Sequence, residues 1–226
     1  FLVTLGVGFL PTFAGPGYES ALAAGVTLPS IVVVAGAVSI ARARPEPFDA
    51  FNRGVAMGSI VFVAAALAIA VHGLRVGFCE PWEGTLFVLL GPGIGCLLAG
   101  AWSAVAGEVA GRRKRPTLMA IPLALLAPIA CVAASFIRFY TSPMVFAYDP
   151  FAGYFSGTLY DTVVEASGLI TYRAGSAATL LAAFMLALHL GRNERGRVNV
   201  QSIGRPGLAL VGGLAAVVSF LHVTAG

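Results

Sequence analysis

The chain has 226 residues, of which 58% are hydrophobic and only 11% charged, with a mean hydropathy of +0.88 and a formal net charge of +4. Soluble domains carry about 25% charged residues, so this composition excludes an ordinary water-exposed fold. The basic excess does not point to nucleic acid either: thirteen of the fourteen basic residues are arginines, and most stand in short loops between apolar runs, as membrane topology requires.

Apolar runs of about twenty residues name lipid as the shield, and lipid obliges each segment to pair its own backbone, which a helix does. A transmembrane barrel would need ten-residue alternating segments, whereas these runs are continuous. The sequence therefore predicts an all-α polytopic transmembrane helical bundle forming a single domain over 1–226. A partial apolar run, 1–13, comes first and is expected to be the tail of a helix that begins before Phe1. Six complete spans follow, at 20–41, 54–74, 84–110, 118–140, 172–191 and 206–224.

The loops between these spans set the expected orientation. Arg42, Arg44 and Arg53 follow the first span. Arg112, Arg113, Lys114 and Arg115 follow the third, and Arg192, Arg195, Arg197 and Arg205 follow the fifth. These alternate loops are expected on the cytoplasmic side of a bacterial inner membrane, by the positive-inside rule. The opposite loops hold Arg75 and Arg173, with Arg138 near a helix end. They are expected outside, as is the C-terminus at Gly226. Glu108, one turn before the GRRKR run, is expected to pair with an arginine there.

Two spans carry small residues every fourth position: Gly91, Gly95, Ala99, Ser103, Gly107 and Gly111 in the third, and Gly175, Thr179, Ala183, Ala187 and Gly191 in the fifth. Such rows let another backbone approach closely, so these two helices are expected to form the centre of the bundle. Pro29, Pro92, Pro122 and Pro128 are expected to kink or start helices, since each removes a backbone donor.

Chemistry is sparse. The middles of the spans contain no Asp, Glu, Lys or Arg, and no metal, nucleophile or phosphate-loop spacing is present. No cofactor is predicted. His72, His189 and His222 are the weak candidates for holding haem or a pigment, against the plainer reading of interfacial histidines. Cys96 and Cys131 read as small buried hydrophobes.

The densest feature is FAYDPFAGYFSGTLYD, 146–161, between two long apolar runs. Aspartate followed by proline suits a turn or helix start, the glycines permit close approach, and Leu159, Val163 and Ala166 share one face of a short amphipathic helix. The 141–171 segment is expected to be an aromatic cap on the outer surface, either a docking surface or the lid of a cavity, or else an interfacial re-entrant segment that only seals the bundle. It is expected to pack with a second outer loop at 75–83 that carries Cys79 and Trp82. Arg173 is expected to pair with Asp161 or Glu165. Trp82, Tyr148, Asp149, Phe151, Tyr154, Phe155, Tyr160, Asp161 and Arg173 are the candidate partner-binding residues.

The combination of Cys79, Trp82, Glu83 and Gly84, then DPFAGYFSGTLYD, then Tyr172–Arg173 resembles membrane regions of uncharacterised bacterial envelope proteins, over roughly residues 75–175. The resemblance implies a membrane module of a larger assembly, in some cases followed by an extracytoplasmic peptidase-like domain. This chain has no zinc-binding sequence, so no protease activity follows. The expected function is a non-catalytic module anchoring other membrane or extracytoplasmic subunits through the aromatic loop. A transporter subunit with a path along the glycine-lined helices is the alternative, and a haem- or pigment-holding subunit the third.

Overall fold

The computed structural model describes residues 2–10, 13, 15–77, 81–141, 146–156, 167–194, 196 and 198–200, and, towards the C-terminus, 207, 210, 212–215 and 217. The fold is mostly helical. Its elements are α1 (Leu2–Val7), α2 (Tyr18–Ala43), α3 (Pro47–Val76), α4 (Pro81–Val88), a π-helical turn (Leu89–Gly93), α5 (Ile94–Gly111), α6 (Pro116–Thr141), strands β1 (Phe146–Asp149) and β2 (Gly153–Ser156), α7 (Ser167–Leu188), and strands β3 (Leu190–Arg192) and β4 (Val198–Val200).

Among the described residues, five segments are long and apolar enough to cross a membrane: α2, α3, the joined α4–α5 rod, α6 and α7. Proline explains three of the starts. Pro47, Pro81 and Pro116 each occupy the first helical position, where the missing N–H costs nothing. Pro47 thereby starts α3 seven residues before the apolar run expected at 54. The run expected at 172 likewise begins earlier, with α7 at Ser167. The expected final span, 206–224, falls on residues of which only seven are described, all helical. Within the expected partial span 1–13, the described helix covers only Leu2–Val7.

The centre of the bundle is α5 against α2 and α3, with α6 beside α2 and α5. Sequence reasoning expected the fifth span beside the third; α7 packs instead at the periphery, against α5 and α3. The reason lies in the rows of small residues. α2 buries Ala21, Gly25, Pro29, Val33, Ala37 and Ala41, one every fourth position, and this row faces the row on α5. Gly107 lies against Ala37 and Ile40, and Ser103 fills the space beside Gly36 and Gly54. The Ser103 hydroxyl is fully buried and donates to the Gly100 carbonyl at 2.6 Å, so this polar group is satisfied within its own helix. On α7 the corresponding row is split, because Thr179 faces outward while Gly175 and Ala187 are buried.

The two ends of the bundle differ. One end, here called the arginine end, carries the α5–α6 turn. There Glu108 accepts from Arg112 at 3.2 Å and from both terminal nitrogens of Arg192. Arg192 also donates to the Pro45 carbonyl at 2.9 Å, which fastens the β3–β4 hairpin to the α2–α3 turn. This short hairpin was not expected in an all-α bundle. The opposite end carries the β1–β2 hairpin.

Candidate functional site

The 146–156 segment is an antiparallel hairpin with Tyr148 opposite Tyr154 and Asp149 opposite Gly153. Three residues, Pro150, Phe151 and Ala152, make the loop, and Gly153 closes it with φ of +104°, a conformation that glycine adopts without strain. Successive side chains of a strand alternate faces. Tyr148 and Tyr154 therefore share one face, their rings 5.5 Å apart, while Phe155 turns the other way to meet Phe136 of α6 at 5.6 Å.

The hairpin does not lie as a cap on the surface. Its loop is inserted between helices, with Phe151 and Ala152 buried and the Asp149 side chain at 0% exposure. The Ala152 carbonyl rests on Gly25 of α2 and the Phe151 carbonyl on Gly95 of α5, so close that a β-carbon at either glycine would collide with that oxygen. Gly25 is seven residues into α2, which puts the loop about 10 Å past the start of that helix at 1.5 Å rise per residue. Phe151 and Asp149, expected on a docking surface, are thus interior groups.

An inserted loop must pair its own backbone, since unpaired amides and carbonyls are costly away from water. Asp149 Oδ1 accepts the Phe151 and Ala152 amides at 2.8 and 2.7 Å. Ser135 of α6 stands with its hydroxyl 3.1 Å from the Tyr148 carbonyl and 3.2 Å from Asp149 Oδ2. Arg173 of α7, 2% exposed, donates to the Pro150 carbonyl at 2.6 Å and to the Gly91 carbonyl at 3.2 Å. Gly91 lies in the π-helical turn, where Pro92 has no N–H to give and the Ile94 amide reaches back to Leu89. One guanidinium therefore ties the hairpin loop to the irregular turn of the central helix. Burial pushes the Asp149 carboxyl above its ordinary value; the two loop amides, Ser135 and the nearby Arg173 pull the other way without cancelling that effect.

Aromatic rings hold the hairpin from the sides. Tyr148 stacks on Tyr172 of α7 with centroids 5.1 Å apart, and Tyr154 meets Tyr18 of α2 at 5.7 Å and Phe87 of α4 at 6.3 Å. These rings bracket the two strands between α2, α4 and α7.

The remaining candidate residues are scattered. Trp82, at the start of α4, is 72% exposed, and Tyr140, at the same end of α6, is 81% exposed. Tyr160 and Asp161 lie outside the described residues, as does Glu165, so the pairing expected for Arg173 falls there. Its described partners are carbonyls, because the loop supplies acceptors at the place where the guanidinium arrives. Gly111 sits at the arginine end beside Ala41 and Arg44, Ala183 is half-buried on α7, and Gly191 is buried in β3. His72 is buried, and its Nε2 stands 2.7 Å from the Leu5 carbonyl, with the Phe9 ring 5.0 Å away; it fastens α1 to α3. His189 follows α7 at the arginine end, the opposite end from His72, and His222 lies outside the described residues. Cys96 is fully buried and Cys131 partly so. Among the described residues, no three His, Cys, Asp or Glu side chains come together as a metal site would need.

Sequence reasoning missed Ser135, Gly25 and the π-helical turn as parts of this site. Pro92 within Gly91–Gly95 is the signal that marks the turn. Ser135 and Gly25 carry no local signal, since their roles come from contacts with a segment far along the chain.

No protein family, curated protein or solved structure matches this chain.

Proposed function

We propose that the chain is a non-catalytic, multi-pass module of a bacterial inner membrane that anchors and organises a larger assembly through its hairpin end. In this reading the hairpin end faces the extracytoplasmic side and the arginine end the cytoplasm. Support for the orientation comes from the exposed Arg42, Arg44, Arg53, Arg112, Arg113, Lys114 and Arg115, all near turns at one end.

One observation carries the functional reading: the two charged side chains buried at the hairpin end among the described residues are taken up by the chain's own backbone. Asp149 holds two loop amides and Arg173 two carbonyls. Such groups stiffen a platform, and they leave its rim, with Trp82 and Tyr140 exposed, to meet a partner. Aromatic residues of this kind are enriched at interface hot spots. The transporter alternative needs a polar path through the bundle. Ser103 is sealed between α2, α3 and α5, whereas Thr179 faces outward from α7, so these two hydroxyls do not line a common route.

Site-specific photo-crosslinking in intact cells tests the reading. A crosslinker at Trp82 or Tyr140 is expected to capture one recurrent extracytoplasmic or membrane protein, and one at Leu118, at the other end of α6, is expected not to. Crosslinks to lipid alone from all three positions would refute the docking role.

A further inference from the structure

The arginine end carries a second arrangement, independent of the docking reading. Arg44 terminates α2 with φ of +47°, and its side chain lies over Gly111, the last residue of α5. Two residues earlier, Arg42 Nε donates to Thr117 Oγ1 in the first turn of α6 at 3.3 Å. Between Gly111 and Thr117 the turn presents Arg112, Arg113, Lys114 and Arg115, all exposed. Six cations from two separate elements thus converge where α2, α5 and α6 end.

Their charge is barely compensated. Glu108 is the one carboxylate paired with this cluster among the described residues, through Arg112, and it is shared with Arg192. The side chains of Arg44, Arg113, Lys114 and Arg115 have no hydrogen-bond or ion-pair partner among the described residues, and Glu46 and Asp49 on the adjoining turn form no ion pair with them. Like charges held this close raise one another's energy, and a bound anion relieves it.

The neighbouring surface identifies the anion. Leu118, Met119 and Ile121 follow directly on α6 and are 58%, 38% and 40% exposed. A free phosphate would use the cations alone, whereas a phospholipid uses both surfaces, with its phosphate among the guanidinium groups and its acyl chain along α6. Basic pockets at helix ends bind anionic headgroups in this way. We propose that the α2–α5–α6 junction is a binding site for an anionic phospholipid headgroup.

Native mass spectrometry of the full chain in detergent tests this, with phosphatidylglycerol and phosphatidylcholine of matched acyl chains as probes. Phosphatidylglycerol is expected to bind at least about tenfold tighter. The triple variant Arg113→Gln, Lys114→Gln, Arg115→Gln is expected to weaken it by about a hundredfold, at about fivefold per basic residue. Arg42→Gln alone should cost about fivefold and serves if the triple variant melts early. Arg138→Gln, exposed at the opposite end of α6, should change nothing. Equal binding of the two lipids, or equal losses from Arg138→Gln and the triple variant, would overturn the proposal. So would release of bound phosphatidylglycerol by millimolar inorganic phosphate, which would assign the cluster to a free anion.

Discussion

The two ends of the bundle handle charge in opposite ways. At the hairpin end, Asp149 and Arg173 are buried, and each is spent on backbone groups of an inserted loop. At the arginine end, most cations stay exposed, and a single cluster, Glu108 with Arg112 and Arg192, fastens the β3–β4 hairpin. The lesson is that a charged side chain in a membrane protein can serve a non-helical segment as well as a substrate. A loop inserted among helices needs donors and acceptors that neighbouring helices, already paired within themselves, do not supply. Loss of a buried charged group at the hairpin end should therefore cost far more than loss of one at the other end.

The largest effect should come from closing the space that the loop occupies. Gly95→Leu drives a side chain into the Phe151 carbonyl and should destabilise the fold by about 4 kcal/mol, seen as a large drop in melting temperature in detergent. Asp149→Ala, which orphans two buried amides, should cost about 3 kcal/mol.

Asp149→Asn keeps an acceptor for those amides and sharpens the electrostatic part of the comparison. The folded carboxyl titrates above its ordinary value of 3.8. Its contribution to stability is therefore greatest below that ordinary value and declines as pH rises through the folded one. The asparagine variant should lack this decline, so melting temperature plotted against pH should be flatter than for the parent chain above pH 4.

At the arginine end the effects shrink. Glu108→Gln should cost about 1 kcal/mol and speed amide exchange in the β3–β4 hairpin without disturbing 146–156. The smallest effect belongs to the rim of the hairpin end: Trp82→Ala should change stability by less than about 0.5 kcal/mol while reducing partner crosslinking, since the ring is exposed.

Much of the helical framework was legible in the sequence, because an apolar run twenty residues long has few ways to satisfy its backbone in lipid. The row on the α4–α5 rod was legible for a similar reason: Gly91, Gly95, Ala99, Ser103 and Gly107 repeat at a fixed stride. Its partner was misassigned because α2 interrupts its row with Pro29 and Val33, which a search for glycine and alanine passes over, although both pack well against small residues. The hairpin was the least legible part. Asp149 before Pro150 signals a carboxylate that accepts nearby amides, and this is what it does, but the same signal suits a helix cap. Whether the tyrosines face headgroups or helices depends on Gly25 and Gly95, which are more than fifty residues away in sequence. Two residues of Phe-Ala-Tyr-Asp on each strand face are too few for alternation to declare itself.

The insertion of the loop is the central claim, and hydrogen exchange of the Phe151 and Ala152 amides tests it most directly. In the parent chain both should exchange at least about a thousandfold more slowly than an open loop, corresponding to about 4 kcal/mol of protection, and Asp149→Ala should abolish that protection. Exchange of both amides at open-loop rates in the parent chain would contradict the account and return the segment to the membrane surface.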